Sequence, residues 1–323
     1  MTEGFFVAEC AFESLGSSPL PISYPVNDMQ RKVIVFGSGG QLGFELCSEF
    51  ERRSWIVERF DRQSLDITDT RRVEEAIGRS DPKVVINSAA YNHVDIAERE
   101  PAAAFQANAL AVRNIAMACR QTDVPLVHYS TDYVFDGTKG SPYVETDQTH
   151  PLGAYAVSKL AGELCAQAYL ENLLIIRTSG VFGPAGAFTA RGNFVEVMLR
   201  LAHSTNPIRV IHDHVASPAY APALAARTAD MVERNMRGLF HMGGGEPISW
   251  YDYAKLIFEL AGVSPPLQPT DEREYRTAAR RPKFSALSNR KVEEAGIAPM
   301  PPLRDAVRDY LEARKRVTAQ GSA

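Results

Sequence analysis

From residue 32 onward the chain alternates short apolar runs with amphipathic stretches. Lys32-Val33-Ile34-Val35-Phe36 is apolar at consecutive positions, the pattern of a strand buried on both faces. Similar runs recur at 55–60, 83–87, 125–130 and 173–177. Between them apolar residues take helical spacing: from Phe44 onward, over 70–78, over 102–121, and from Tyr155 to near Asn172. This alternation predicts an α/β fold, a Rossmann-like doubly wound parallel sheet with helices on both faces. After about residue 178 the rhythm breaks. Gly183-Pro184-Ala185-Gly186 reads as a loop, a helix is expected near 193–203, and strands at 208–211 and 238–242. Ser249 is placed to cap a further helix. Pro218 and Pro222 read as bracketing a connection, and Pro265, Pro266 and Pro269 as a rigid linker.

Composition narrows the class. Of 323 residues, 45% are hydrophobic and 23% charged, ordinary for a globular protein. A net charge of −4 leaves no basic excess for a phosphate backbone, so nucleic acid is not an expected partner. No apolar run reaches the roughly 20 residues a membrane span needs, so no membrane partner is expected either. Phe5-Phe6-Val7-Ala8 lacks the positive flank of a signal peptide, since every charge before Arg31 is acidic (Glu3, Glu9, Glu13, Asp28). Residues 1–28 read as a tail ahead of a start at Met29. Four cysteines without a C-x-x-C pair fit a reducing compartment, and the cytoplasm is expected. His212 and His214 flank Asp213, but no spacing supplies a third ligand, so no metal is expected. No Gly-x-Ser-x-Gly elbow, Walker loop or His-Glu-x-x-His supports hydrolase, NTPase or zinc-protease chemistry.

The positive signal begins with Gly37, Gly40 and Gly43, spaced three apart between the first strand and a helix. That spacing lets the chain turn sharply, brings backbone N–H groups to a pyrophosphate, and packs the helix on the strand. Asp61 lies 24 residues beyond Gly37, at the end of the second strand, where an acid would grip the adenine ribose. Arg62 follows and would suit a 2′-phosphate, so the two neighbours leave NADPH and NADH both open. Asp66 and Ile67 are placed to meet the adenine. The organisation expected is an extension over 1–30, an NAD(P)-binding domain over 31–180, and a smaller, mainly substrate-binding α/β domain over 181–323. Some segments of the last return to the first.

Tyr155 and Lys159 stand four apart at the start of a helix, on one face. A phenol with a reference pKa near 10 is a poor acid–base group at neutral pH, and a neighbouring ammonium lowers it. The fourth strand ends in Ser130 and Thr131, at the edge of the sheet where a doubly wound fold binds ligands. A hydroxyl there can hydrogen-bond a developing alkoxide.

Together these residues resemble the extended short-chain dehydrogenases/reductases. Within that family the stretches Gly40-Gln41-Leu42-Gly43, Leu65-Asp66-Ile67-Thr68, Asn87-Ser88-Ala89-Ala90-Tyr91, Ser130 to Gly137, Tyr155 to Glu163, Arg177-Thr178-Ser179 and Arg281-Pro282 resemble the dTDP-4-dehydrorhamnose reductases. The likeness runs from about Lys32 to Leu311. It implies reduction of the 4-keto group of a dTDP-linked 6-deoxyhexose by NADPH, or NADH. Tyr155 would give the proton, Lys159 lower its pKa and hold the nicotinamide ribose, and Thr131 hydrogen-bond the carbonyl. Gln41, Leu42, Ala89, Ala90 and Tyr91 would line the cofactor. Asn92, Val94, Asp132 and Tyr133 would face the nucleotide sugar, and Arg281 its diphosphate. The chain departs from the family at Gly180, where tryptophan is usual. A homodimer is compatible with the resemblance. The same superfamily contains epimerases and dehydratases, and the regulatory β subunit of methionine adenosyltransferase shares several of the motifs. These are the alternative readings.

Overall fold

The first apolar run is a strand, β1 (Lys32–Phe36), in the computed structural model, which describes residues 31–189 and 192–320. The N-terminal extension therefore lies outside the described residues. The chain continues through α1 (Gln41–Arg52), β2 (Ile56–Phe60), α2 (Thr70–Ser80), β3 (Val84–Asn87), α3 (Val94–Ala97), α4 (Pro101–Phe105) and α5 (Ala111–Gln121). Then come β4 (Leu126–Thr131), α6 (Ala154–Tyr169), β5 (Leu173–Thr178), α7 (Phe194–Leu201), β6 (Ile208–Ile211), β7 (Val215–Ala216) and α8 (Ala221–Glu233). The last elements are β8 (Gly238–His241), β9 (Ile248–Ser249), α9 (Trp250–Ala261), β10 (Leu267–Thr270), α10 (Arg290–Glu294) and α11 (Leu303–Gln320).

Six parallel strands form the main sheet in the order β2-β1-β3-β4-β5-β8. From β1 the chain steps one way to β2, then returns past β1 to β3 and on through β4 and β5. That reversal opens a crevice beyond the carboxyl ends of β1 and β3, as in Rossmann-like doubly wound folds. Alternation along β1 explains the two layers of helices. Val33 and Val35 face a core with Leu46 and Phe50 of α1 and Leu224 of α8. Ile34 and Phe36 face Val73 and Ile77 of α2 and Val112 and Ile115 of α5. Each such buried side chain contributes roughly 1.5–3 kcal/mol. A third core joins α7, α9 and α11 through Phe182, Val195, Tyr253, Ile257, Val307 and Tyr310. Ser249 caps α9 as expected, accepting from the Asp252 N–H at 3.0 Å.

Four sequence expectations change. The run read as a loop at 183–186 enters a 3₁₀ turn, Pro184–Phe188. The helix expected over 102–121 is interrupted by a π-helical turn, Gln106–Leu110, between α4 and α5. Such single turns often mark functional sites. Pro222 opens α8 rather than a connection, because its missing N–H costs nothing in a helix's first turn. Pro269 lies inside a strand, β10, paired with Val210 of β6 in a two-stranded sheet, where a proline at an edge is tolerated. Cys47, Cys119 and Cys165 are free thiols. Among the described residues, no helix is long and apolar enough to cross a membrane.

Candidate active site

After Phe36 the chain turns at Gly37 with φ +81°. A Cβ there would lie 2.5 Å from the Ala89 nitrogen, just beyond β3, so only glycine allows the two strand ends to approach. A Cβ on Gly43 would overlap the Gly37 carbonyl oxygen, so α1 packs directly on the turn. The Gly37 and Ser38 N–H groups donate to the Phe60 carbonyl at 2.8 and 3.1 Å, fastening the loop to β2. Gly40 begins α1 with no side-chain cap, which leaves the N–H groups of its first turn to an anion. The arrangement fits a dinucleotide pyrophosphate. Gln41 Oε1 accepts from Asn193 Nδ2 at 2.9 Å, and Leu42 packs on the core.

At the end of β2, Asp61 Oδ1 accepts from the Gln63 N–H (3.0 Å), the Ser64 N–H (2.8 Å) and the Ser64 hydroxyl (2.8 Å). The Ser64 backbone bond leads the causes that hold the carboxyl below its usual range. The Arg62 side chain is 91% exposed, with its guanidinium 3.7 Å from Asp66. Asp66 is occupied by the Thr68 N–H and hydroxyl at 2.9 and 2.8 Å. Ile67, expected beside the adenine, puts its side chain into the core with Leu65 and Val73, where burial of its apolar surface holds it.

Beyond β3, Tyr91 is held by a residue that motif reading missed. Asn108, buried in the π turn, accepts from the Tyr91 N–H at 2.9 Å and donates to its carbonyl at 2.8 Å. It also donates to the Ser158 hydroxyl of α6 at 3.0 Å. The π turn thereby ties the strip after β3 to the helix carrying Tyr155. Ala89 and Ala90 precede Tyr91 on this strip. Asn92 is exposed, and Val94 opens α3.

Tyr155 is the second residue of α6, and Lys159 sits one turn on. Lys159 is 3% exposed and donates to the Tyr129 carbonyl of β4 at 2.6 Å. Burial pulls its pKa down to about 8, opposed by Glu163 another turn along. Glu163 forms a bidentate pair with Arg177 of β5, at 2.9 and 2.7 Å, with both side chains buried. Arg177 also lies over the Phe135 ring. His128, fully buried, is driven well below its usual pKa by burial, with the Lys159 charge adding to it, and stays neutral. Gly162 lets α6 close on His128 and on the π turn.

Thr131 ends β4. Its hydroxyl accepts from the Tyr133 N–H at 3.2 Å and donates to Asp132 Oδ1 at 3.1 Å. Asp132 is turned inward, 3% exposed, and its Oδ2 accepts from the hydroxyls of Ser179 (2.8 Å) and Ser285 (2.5 Å). Burial raises this carboxyl to about 6, with the hydroxyl bonds opposing. The Tyr133 ring meets the Tyr155 ring edge-on, centroids 6.2 Å apart. Burial raises the Tyr133 phenol well above its usual value, while Arg281 at its hydroxyl acts the other way. Arg281 carries no idle guanidinium. It donates to both oxygens of Asp95, at 2.6 and 3.2 Å, and to Thr277 and the Ala279 carbonyl. A diphosphate would have to take Asp95's place. The structure thus brings Thr131, Asp132, Tyr133, Tyr155, Lys159 and Arg281 to one end of β4 and α6.

The model of the RmlD substrate binding domain family matches residues 31–316. The chain belongs to this family. Among its relatives, the spore coat polysaccharide biosynthesis protein SpsK of Bacillus subtilis is 36% identical over 283 residues, covering 88% of this chain and 98% of its own. The dTDP-4-dehydrorhamnose reductase of Mycobacterium tuberculosis is 35% identical over 295 residues, 89% of this chain and 95% of its own. The crystal structure of dTDP-4-dehydrorhamnose reductase from Bacillus anthracis in complex with NADP superposes with a TM-score of 0.83. That pair is 32% identical and covers 88% of this chain and 99% of the other.

In this RmlD-family chain, the space beside Gly180 is taken by a tryptophan from elsewhere. A Cβ on Gly180 would lie 3.3 Å from the edge of the Trp250 indole, at the start of α9. Phe194 packs on that indole at 4.8 Å. His214, set aside as a metal ligand, is buried with its Nδ1 3.3 Å from Asp213.

Proposed function

We propose that this chain reduces the 4-keto group of a dTDP-linked 6-deoxyhexose, converting dTDP-4-dehydro-L-rhamnose to dTDP-L-rhamnose with NADPH. The carrying observation is that Lys159 of α6 is bonded to the Tyr129 carbonyl of β4 and Tyr155 meets the ring of Tyr133, two residues beyond Thr131 at the end of that strand. The relatives named dTDP-4-dehydrorhamnose reductase, matched over nearly their whole length, support the substrate. The NADP in the Bacillus anthracis enzyme supports the coenzyme, as does the exposed Arg62 beside Asp61.

When bound, NADPH supplies hydride to the carbonyl carbon. Gly37, Gly40 and the first turn of α1 would hold its pyrophosphate, and Ala89 to Tyr91 would line it. Tyr155 gives its phenolic proton to the carbonyl oxygen. Lys159, charged below about pH 8, stabilises the phenolate left behind. Thr131, whose hydroxyl accepts from the Tyr133 N–H and gives its one proton to Asp132, would turn that proton from Asp132 to the same oxygen. Asn92, Val94 and Tyr133 would face the sugar, and Arg281 would exchange Asp95 for the diphosphate. Action in the cytoplasm and assembly as a homodimer belong to the same proposal, the latter checked by sedimentation.

The test is loss of reduced-nicotinamide absorbance with dTDP-4-dehydro-L-rhamnose as substrate. Stoichiometric oxidation yielding dTDP-L-rhamnose is expected. Cofactor that binds and is never consumed would instead fit an epimerase or a regulatory subunit.

A further inference from the structure

The helix that carries Tyr155 begins without a cap of its own. Gly153 stands at its N-cap in extended conformation and has no side chain to offer the first N–H groups. The acceptor comes from 56 residues earlier. Glu98, at the end of α3, takes the Ala154 N–H on its Oε1 at 2.8 Å. A Cβ at Gly153 would lie 2.5 Å from that same oxygen, so a side chain there would push the carboxylate from its present position. Three residues before Glu98, on the same short helix, Asp95 holds Arg281 with both its oxygens and takes the Ala279 N–H at 3.0 Å. Arg281 reaches the Tyr133 hydroxyl, and Tyr133 abuts Tyr155. One short helix is therefore linked to the tyrosine twice: through the backbone of the residue before it and, by way of Arg281, through a neighbouring ring.

We infer that Glu98 is a positioning residue for Tyr155, fixing by its bond to the Ala154 N–H where the phenol enters the crevice, with Asp95 bracing the ring beside it through Arg281 and Tyr133. The inference rests on the proposed role of Tyr155 as proton donor. The first turn of a helix lacks internal partners for its N–H groups and frays most readily. Tyr155 lies in that turn, so its placement depends on what caps it. A carboxylate there also meets the partial positive charge of the helix start. Small displacements of a reacting group are costly, about a hundredfold in rate for 1 Å. Glu98 itself is exposed, so replacing it opens no cavity.

The experiment compares Glu98→Ala and Glu98→Gln in the full chain. Glu98→Ala is expected to lower kcat about tenfold, with KM for the nucleotide sugar and Kd for NADPH held within about twofold. Glu98→Gln keeps an acceptor oxygen and should recover kcat to within about threefold of wild type. In a Tyr155→Phe background, Glu98→Ala should add no further loss, since both changes act on one group. Hydrogen exchange over the Ala154–Tyr155 segment, measured without substrate, should accelerate in Glu98→Ala. Unchanged kcat or unchanged exchange in Glu98→Ala overturns the assignment. So does an equal loss of rate in the Tyr155→Phe background. If wild-type protein shows no turnover while exchange still accelerates in Glu98→Ala, the cap is upheld and the reductase reading fails.

Discussion

Lys159 donates to the Tyr129 carbonyl oxygen at 2.6 Å, so the ammonium is anchored to the sheet one helical turn from Tyr155. Its position is fixed by the backbone of β4, and its charge is reduced by burial, which brings the pKa to about 8. In the proposed mechanism the lysine is positive below that value and would stabilise the phenolate; above it the help would be lost. The rate constant for reduction should therefore fall as pH rises through about 8, and a kcat–pH profile checks it. Lys159→Met should remove this limb along with most of the activity.

Tyr155→Phe should lower kcat by about 10²–10⁴, the usual worth of a positioned general acid. NADPH binding, followed by fluorescence of the reduced nicotinamide, should persist. Retained turnover would remove Tyr155 from the acid role.

In the proposed function, coenzyme preference divides between two adjacent residues. Arg62 is solvent-facing, and its guanidinium suits a 2′-phosphate, whereas Asp61 suits a ribose hydroxyl. Arg62→Ala should weaken NADPH by about tenfold, equivalent to roughly 1.4 kcal/mol, and leave NADH nearly unchanged. Asp61→Ala should weaken NADH more than NADPH. Calorimetric titration with both coenzymes separates the four values.

Glu163 and Arg177 are both buried and paired through two bonds. Glu163→Gln leaves the guanidinium in the interior without its counter-charge, so unfolding free energy should drop by about 3–5 kcal/mol. Urea denaturation measures it. Replacing both members by apolar residues of similar volume should cost less than the single change.

Asp132 supplies a second pH effect from the same cause, burial, with its pKa moved the other way. Its folded pKa of about 6 lies above the ordinary value, so between about pH 4 and 6 the folded chain holds a proton that the unfolded chain releases. Its contribution therefore favours the fold in acid and is lost as pH rises through 6, by about 3 kcal/mol for a shift of roughly two units. The stability difference between wild type and Asp132→Asn should change across that window and stay flat above pH 7.

The Rossmann-like half was legible because its signals are local. A run such as Val33 to Phe36 is buried on both faces and reads as such, and the glycine spacing and the Tyr155–Lys159 interval each lie within a few residues. What stayed hidden depends on partners far along the chain. Asp95 and Arg281 are 186 residues apart, and nothing in either neighbourhood announces the pair. The π turn at Asn108 is fixed by Tyr91 and Ser158, so periodicity alone reads straight through it. Pro269 reads as a linker residue because a proline usually ends a strand, and only the pairing of β10 with β6 reveals that this one lies on an edge.

The inward carboxylate of Asp132 joins Thr131 at the end of β4, Ser179 beyond β5, and Ser285, 153 residues downstream. During synthesis the glycine loop, Tyr155 and Lys159 emerge long before Ser285 does. The hydroxyl set around this carboxylate is therefore closed only when a stretch from near the end of the chain has returned to β4, just as Val292 and Met300 return to the core beneath β1. A truncation before Ser285 would leave Asp132 Oδ2 with one hydroxyl donor in place of two.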